Sequence, residues 1–150
     1  MIVTLEQARA LCAHVYAIAA SGGFDPLHVG HVRYLKDARC YGSALIVIVN
    51  GDGFLAHKKR KAFMPLADRM EIVNSLACVD YVCAWDGDTV DGALEILRPR
   101  AFAKGGDRTG PENIPEWETC QRLGVRVILG VGGGKERSSS EMLAAWEANG

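Results

Sequence analysis

Two histidines, His28 and His31, stand three residues apart in the stretch SGGFDPLHVGH, Ser21 to His31, behind a glycine pair and an acidic residue. An apolar run, VYAIAA, leads into it. On a helix, an i, i+3 spacing places both imidazoles on one face. A helix beginning near His28 would also present unsatisfied N–H groups and a partial positive end to a bound anion. Gly22 and Gly23 allow unusual dihedrals and close backbone approach. Such a place suits phosphate. Neutral imidazoles donate hydrogen bonds and protonated ones also neutralise charge. Pentavalent phosphorus chemistry needs donors aimed where negative charge grows on the α-phosphate and the departing pyrophosphate. The plainer reading makes one histidine a helix cap and the other a core residue.

Three further stretches carry groups of the same kind. In NGDGFLAHKKRKAFMPLADRM, residues Lys58, Lys59, Arg60 and Lys61 form a basic run. Such a run is ordinarily a solvated face. Directly after a strand and beside the histidine loop, it would instead reach anions, with Lys58 and Arg60 the foremost candidates. In AFAKGGDRTGPENIPEW, Gly105 and Gly106 let a planar base lie against the backbone, and Asp107 fixes the turn or accepts from ribose or base. In GVGGGKERSSSEML, Ser138, Ser139 and Ser140 open a helix after a glycine turn, where they serve as caps or hold terminal phosphates. Lys135 and Arg137 stand in the same stretch. WDGDT, Trp85 to Thr89, reads as the cap of the helix that follows it.

The elements that must position these groups alternate along the chain. TLEQ, Thr4 to Gln7, has the pattern of a capping box opening a short helix. Runs rich in β-branched and aromatic residues predict strands over Val15 to Ala20, Ala44 to Asn50, Val79 to Trp85, Ala101 to Lys104 and Val125 to Gly130. Helical spacing falls between them, over His28 to Tyr41, Leu66 to Leu76, Val90 to Leu97, Glu116 to Leu123 and Ser139 to Ala148. Strands apolar nearly throughout are covered on both faces. The pattern predicts an α/β fold: a Rossmann-like, doubly wound parallel sheet of about five strands with helices on both faces, in one domain over residues 1–150. Ligands of such folds lie beyond the C-terminal strand ends, where the strand order reverses. All four stretches would converge there.

Composition narrows the class. A chain of 150 residues, 49% apolar and 23% charged, with net charge -1, has globular proportions. No stretch approaches the ~20 apolar residues of a membrane span. The start, MIVTLEQARALCAH, lacks the basic leader of a signal peptide, which points to a cytoplasmic protein with no membrane partner. The five cysteines are odd in number and contain no C-x-x-C, so reduced thiols are expected rather than disulfides or a zinc site. The slightly negative charge and the absence of interleaved aromatics speak against nucleic acid as a partner.

GGFDPLHVGHVRYLKDAR resembles the G-x-F-D-x-x-H-x-G-H signature of the cytidylyltransferase-like nucleotidyltransferases, which move a nucleoside monophosphate from ATP or CTP to a small phosphorylated acceptor. The resemblance runs from Val15 to Leu143. It implies catalytic roles for His28, His31, Lys58 and Arg60, and nucleotide contacts from Gly23, Phe24, Asp25 and Gly30. It implies the same for Gly105, Gly106, Asp107, Ser138, Ser139 and Ser140. Asp25 would cap its turn, help hold Mg²⁺ or orient His28; Mg²⁺ itself would arrive on the nucleotide phosphates. PLADRM is similar to the P-L-x-x-R-M element of heptose-phosphate adenylyltransferases and marks Arg69, with Lys58 and Arg137, as an acceptor or phosphate contact. KGGD matches the same group, whereas glycerol-phosphate cytidylyltransferases typically read G-D-D, which favours ATP. Arg108, the TGPENIP insertion and Arg137 depart from these patterns. The resemblance implies that Lys135 or Arg137 supplies a cation beside the serines. The family also implies a homodimer. Two alternatives stay open: a CTP-dependent enzyme for glycerol 3-phosphate or another polyol phosphate, and a nucleotide-binding module without catalysis.

Overall fold

The computed structural model describes residues 1–53, 62–133 and 144–147. Thr4 and Gln7 close the expected capping box: Gln7 N–H donates to Thr4 Oγ1 at 3.1 Å and Thr4 N–H to Gln7 Oε1 at 2.9 Å. They open α1 (Leu5–Leu11). There follow β1 (Ala17–Gly22), α2 (Val29–Arg39), β2 (Ala44–Asn50), α3 (Leu66–Asn74) and β3 (Tyr81–Trp85). The described chain continues with α4 (Asp91–Leu97), β4 (Ala101–Gly105), α5 (Trp117–Leu123) and β5 (Arg126–Val131).

The five strands form one sheet in the order β3-β2-β1-β4-β5, and every pairing is parallel. All seven residues of β2 are buried, because successive side chains enter two different cores. Ile46, Ile48, Cys83 and Phe102 pack with α1, α4 and α5 on one face. Leu45, Val47, Val49 and Val82 pack with Leu35 and Ala38 of α2 and Met70 and Val73 of α3 on the other. This is the expected Rossmann-like, doubly wound sheet. Among the described residues, no helix is long and apolar enough to cross a membrane.

Pairing, not propensity, trims the strand ends. Val15 and Tyr16 are exposed, and β1 runs instead from Ala17 opposite Ala44 to Gly22 opposite Val49. At β3, Asp80 turns its carboxylate onto Leu45 N–H at 2.8 Å, and the strand begins one residue later. The expected cap from WDGDT is also corrected. The N-cap of α4 is Val90, with no side-chain cap bond; its N–H is taken by Glu116 Oε2 at 3.2 Å, while Thr89 Oγ1 donates to Asp91.

The order of strands puts the topological switch between β1 and β4. These two pair only at Ile18 with Ala101 and Ala19 with Phe102. Beyond those pairs Ala20, Ser21 and Gly22 follow β2, while Ala103 and Gly105 follow β5. A crevice therefore opens between the C-terminal ends of β1 and β4.

Candidate active site

Gly22 ends β1 without a side chain for a local reason. A Cβ there would stand 3.1 Å from the Phe24 ring, which folds back beneath the loop. Phe24 takes a left-handed backbone, φ 52°, and its ring meets the His31 ring edge-on at 5.0 Å. Phe24 is 2% exposed. It therefore supports His31 from below.

His28 is the N-cap of α2. Its Nδ1 accepts the Gly30 N–H at 3.1 Å, and His31 Nδ1 accepts the His28 N–H at 3.2 Å. The two rings stack with centroids 3.9 Å apart. The capping and catalytic readings are thus not alternatives. A nitrogen that accepts a backbone N–H carries no proton, so each neutral ring bears its proton on Nε2. The pair combines two such donors with the positive end of a three-turn helix.

Two buried side chains hold this loop against the next. Asp25, 1% exposed, accepts Phe63 N–H on Oδ2 and Met64 N–H on Oδ1, both at 2.7 Å. Arg69 is wholly buried. Its Nη1 donates to Gly23 O at 2.9 Å and Asn50 O at 2.6 Å, its Nε to Met64 O at 3.0 Å, and its Nη2 to Asp52 Oδ1 at 2.7 Å. With four acceptors around it, the guanidinium binds the loops after β1 and β2 to each other. Asp25 likewise braces the loop. Lys58 and Arg60 lie outside the described residues, yet the segment carrying them is flanked by Asp52 and by Phe63, both fastened to this brace.

At the end of β4, a Cβ on Gly105 would meet nothing within 4 Å. None of the described residues demands glycine there. Gly106 and Asp107 are exposed beyond it, and Arg108 N–H closes the turn on Gly105 O at 3.1 Å. The insertion folds around Asn113, whose Oδ1 accepts Thr109 N–H at 3.0 Å and Gly110 N–H at 3.2 Å and whose main-chain oxygen accepts from Arg108. Behind the turn, Lys104 Nζ lies 3.7 Å from Glu116 Oε1 and 4.8 Å from the Phe102 ring centroid. Burial lowers the Lys104 pKa, and Glu116 opposes that shift. Glu116 Oε1 is buried with no hydrogen-bond partner, leaving the Lys104 charge to compensate it.

Tyr34 is a residue that sequence reasoning missed. From α2 its hydroxyl donates to Ala103 O at 2.6 Å, at the level where β1 and β4 have parted. Burial pushes its pKa upward, against a backbone hydrogen bond at Ser21. Gly132, at φ 83°, comes so close that a Cβ would stand 2.7 Å from Tyr34 Cα, and its N–H donates to Asp37 Oδ2 at 2.7 Å. The exit of β5 is thereby docked on the histidine helix. Arg137, Ser138, Ser139 and Ser140, like Lys135, lie outside the described residues.

Residues 19–129 match the family model for cytidylyltransferase-like proteins. The chain is 40% identical over 124 residues to "Bifunctional protein HldE" of Streptomyces coelicolor, covering 81% of this chain and 27% of that protein. The protein of the same name from Geotalea uraniireducens is 40% identical over 114 residues, 75% of this chain and 23% of its own length. The chain thus spans about a quarter of the length of these curated relatives. A solved structure, the lipopolysaccharide core biosynthesis protein from Thermoplasma volcanium, superposes with a TM-score of 0.67 at 25% identity, covering 81% of this chain and 99% of that one. The histidine loop, the glycine turn after β4 and the crevice between them all fall inside the matched span, and the chain belongs to the cytidylyltransferase-like family of nucleotidyltransferases.

Proposed function

We propose that the chain transfers a nucleoside monophosphate, from ATP in preference to CTP, to the phosphate of a small sugar phosphate such as heptose 1-phosphate, releasing pyrophosphate. An acceptor phosphate oxygen attacks the α-phosphorus, the bond from that phosphorus to the bridging β-oxygen breaks, and the leaving pyrophosphate carries away the electron pair. The observation that carries this reading is the reciprocal capping of His28 and His31. It supports neutral tautomers with Nε2 as donor, a form suited to stabilising charge on a phosphoryl group without a covalent step.

The remaining roles extend from the same crevice. Gly105, Gly106 and Asp107 take the base, for which the open space beside Gly105 leaves room. Gly23 and Gly30 give the backbone close approach to the triphosphate. Lys58, Arg60 and Arg137 hold the nucleotide and acceptor phosphates, and Ser138, Ser139 and Ser140 the terminal ones. Among the described residues no group of three or more His, Cys, Asp or Glu converges to hold a metal ion, and both Asp25 oxygens accept backbone N–H groups. Mg²⁺ would arrive on the nucleotide phosphates, where it would neutralise their charge. The working molecule is a cytoplasmic homodimer, checked by light scattering.

The test is a matrix of ATP, CTP, GTP and UTP against sugar, polyol and amino-alcohol phosphates, read by pyrophosphate release. Release with ATP and a sugar phosphate supports the proposal. Faster release with CTP and glycerol 3-phosphate replaces the substrates and keeps the reaction. No release with any pair, despite nucleotide binding, would leave a binding module.

A further inference from the structure

A cavity of about 260 Å³ lies at the other end of the sheet, lined by Arg9, Cys12, Ala17, Leu97, Arg98 and Arg100 among others. Ala17 begins β1 and Gly22 ends it, so the strand alone separates this cavity from the histidine loop by roughly 17 Å. We propose that it is a second anion site, taking a small phosphate-bearing anion no larger than pyrophosphate or a monosaccharide phosphate.

Charge is the first argument. Three arginines, Arg9, Arg98 and Arg100, line this cavity, and among the described residues none of them has a carboxylate within ion-pair distance. Other arginines nearby do find one: Arg39 meets Asp80 at 3.0 Å and Arg122 meets Glu95 at 2.6 Å. Arg9 and Arg98 spend one donor each on the last turn of α4, reaching Ile96 O at 3.4 Å and Glu95 O at 3.3 Å. Each guanidinium has five N–H donors, in a fork that matches phosphate oxygens. Arg100 is steadied over the Tyr16 ring, 6.0 Å from its centroid.

Backbone and size supply the others. Arg98 is the C-cap of α4 in the left-handed region, φ 48° and ψ 60°, a conformation that helices ordinarily give to glycine. The chain accepts that strain and places a cation at the cavity instead. Burial raises the Cys12 pKa, so the thiol beside the arginines stays neutral and opposes no anion. The volume, just below the ~300 Å³ at which pockets for drug-sized ligands begin, suits a small anion.

The test is an amide NMR titration of the intact chain with pyrophosphate and with glucose 1-phosphate, each at about 0.15 M salt so that loose surface attraction is screened. Shifts at Ala13, Ala17 and Leu97 are expected to saturate with a Kd of about 1 mM or tighter, apart from those at Gly22 to Gly30. The tighter of the two probes identifies the source of the phosphate. Arg98→Gly and Arg100→Gln should each weaken the cavity response at least tenfold while leaving turnover and the Gly22 to Gly30 response unchanged. Arg98→Gly should unfold no earlier than the parent, because glycine suits that backbone. Absence of saturable shifts at the cavity with both probes, or shifts undiminished in both variants, would overturn the proposal.

Discussion

His31 accepts the backbone N–H of His28 through Nδ1 at 3.2 Å while its ring stacks on the His28 ring at 3.9 Å. His28 in turn accepts Gly30 N–H through its own Nδ1 at 3.1 Å. One nitrogen of each ring builds the helix start, and the other carries the proton. The chemistry proposed for the pair would use the other nitrogen of each ring, which permits helix formation and chemistry to be separated by substitution.

Asparagine is a strong N-cap, and glutamine fits the returning position of a capping box. His28→Asn and His31→Gln should therefore fold within about 0.5 kcal/mol of the parent and yet lose turnover by about 10² or more, the scale of removing one donor from a developing anion. His28→Ala should lose about 1 kcal/mol of stability as well. Urea denaturation and initial rates of pyrophosphate release measure the two effects. Near-parental rates in both conservative variants would make the pair structural.

Arg69 has no solvent exposure and serves three main-chain carbonyls and the Asp52 carboxylate. Arg69→Met should destabilise the fold by about 3 kcal/mol or more, since it strands buried acceptors. Arg69→Lys should recover little, because an ammonium cannot reproduce the fork. The readout is the denaturation midpoint without substrate. Unchanged stability with a raised acceptor KM would return Arg69 to the role of an anion contact.

Gly105 has open space where a Cβ would go. Gly105→Val should change stability by less than about 0.5 kcal/mol, as for a substitution that meets no neighbour. Nucleotide binding should weaken severalfold if a base occupies that space. Gly106→Asp, which places a second acid beside Asp107, should erode the preference for ATP over CTP. Calorimetric titration with each nucleotide gives both answers, and an unaffected Kd in Gly105→Val would move the base elsewhere.

Buried thiols make the fold sensitive to alkali. Desolvation pushes Cys83 from 9.0 to about 12 and Cys120 from 9.0 to about 11, with nearby acidic groups adding to both shifts. Above pH 9 the unfolded chain releases these protons while the folded chain keeps them, so stability falls as pH rises toward 11 to 12. Tyr34, raised by burial, acts in the same direction, and Lys104, lowered by burial, in the opposite one. Urea midpoints between about pH 8 and pH 10.5 should therefore fall less steeply in Cys83→Ala than in the parent. Identical slopes would place the alkaline sensitivity in other groups.

Much of this molecule is already determined by local pattern. The uninterrupted apolar run Ala44 to Asn50 specifies a strand covered on both faces, and all seven residues are buried. Thr4 and Gln7 specify a helix start because both partners of the capping box lie within one turn. The spacing of His28 and His31 likewise specifies a shared helix face, since three residues are nearly one turn.

What only the tertiary structure decided are the groups whose partners lie far along the chain. A sequence pattern shows Arg69 as a cation after P-L-A-D and cannot show that Gly23, 46 residues earlier, and Asn50, 19 residues earlier, bring their carbonyls to it. Tyr34 reads as an ordinary apolar position of α2, yet its hydroxyl reaches Ala103, 69 residues away, where two strands separate. Strand ends behaved the same way: Val15 and Tyr16 have strand propensity but no pairing partner, and Phe24 turned inward because Gly22 left room for its ring. Periodicity encodes which face of an element is apolar. Which buried polar groups meet across elements depends on loop closure and packing, where every donor taken from water must find its acceptor.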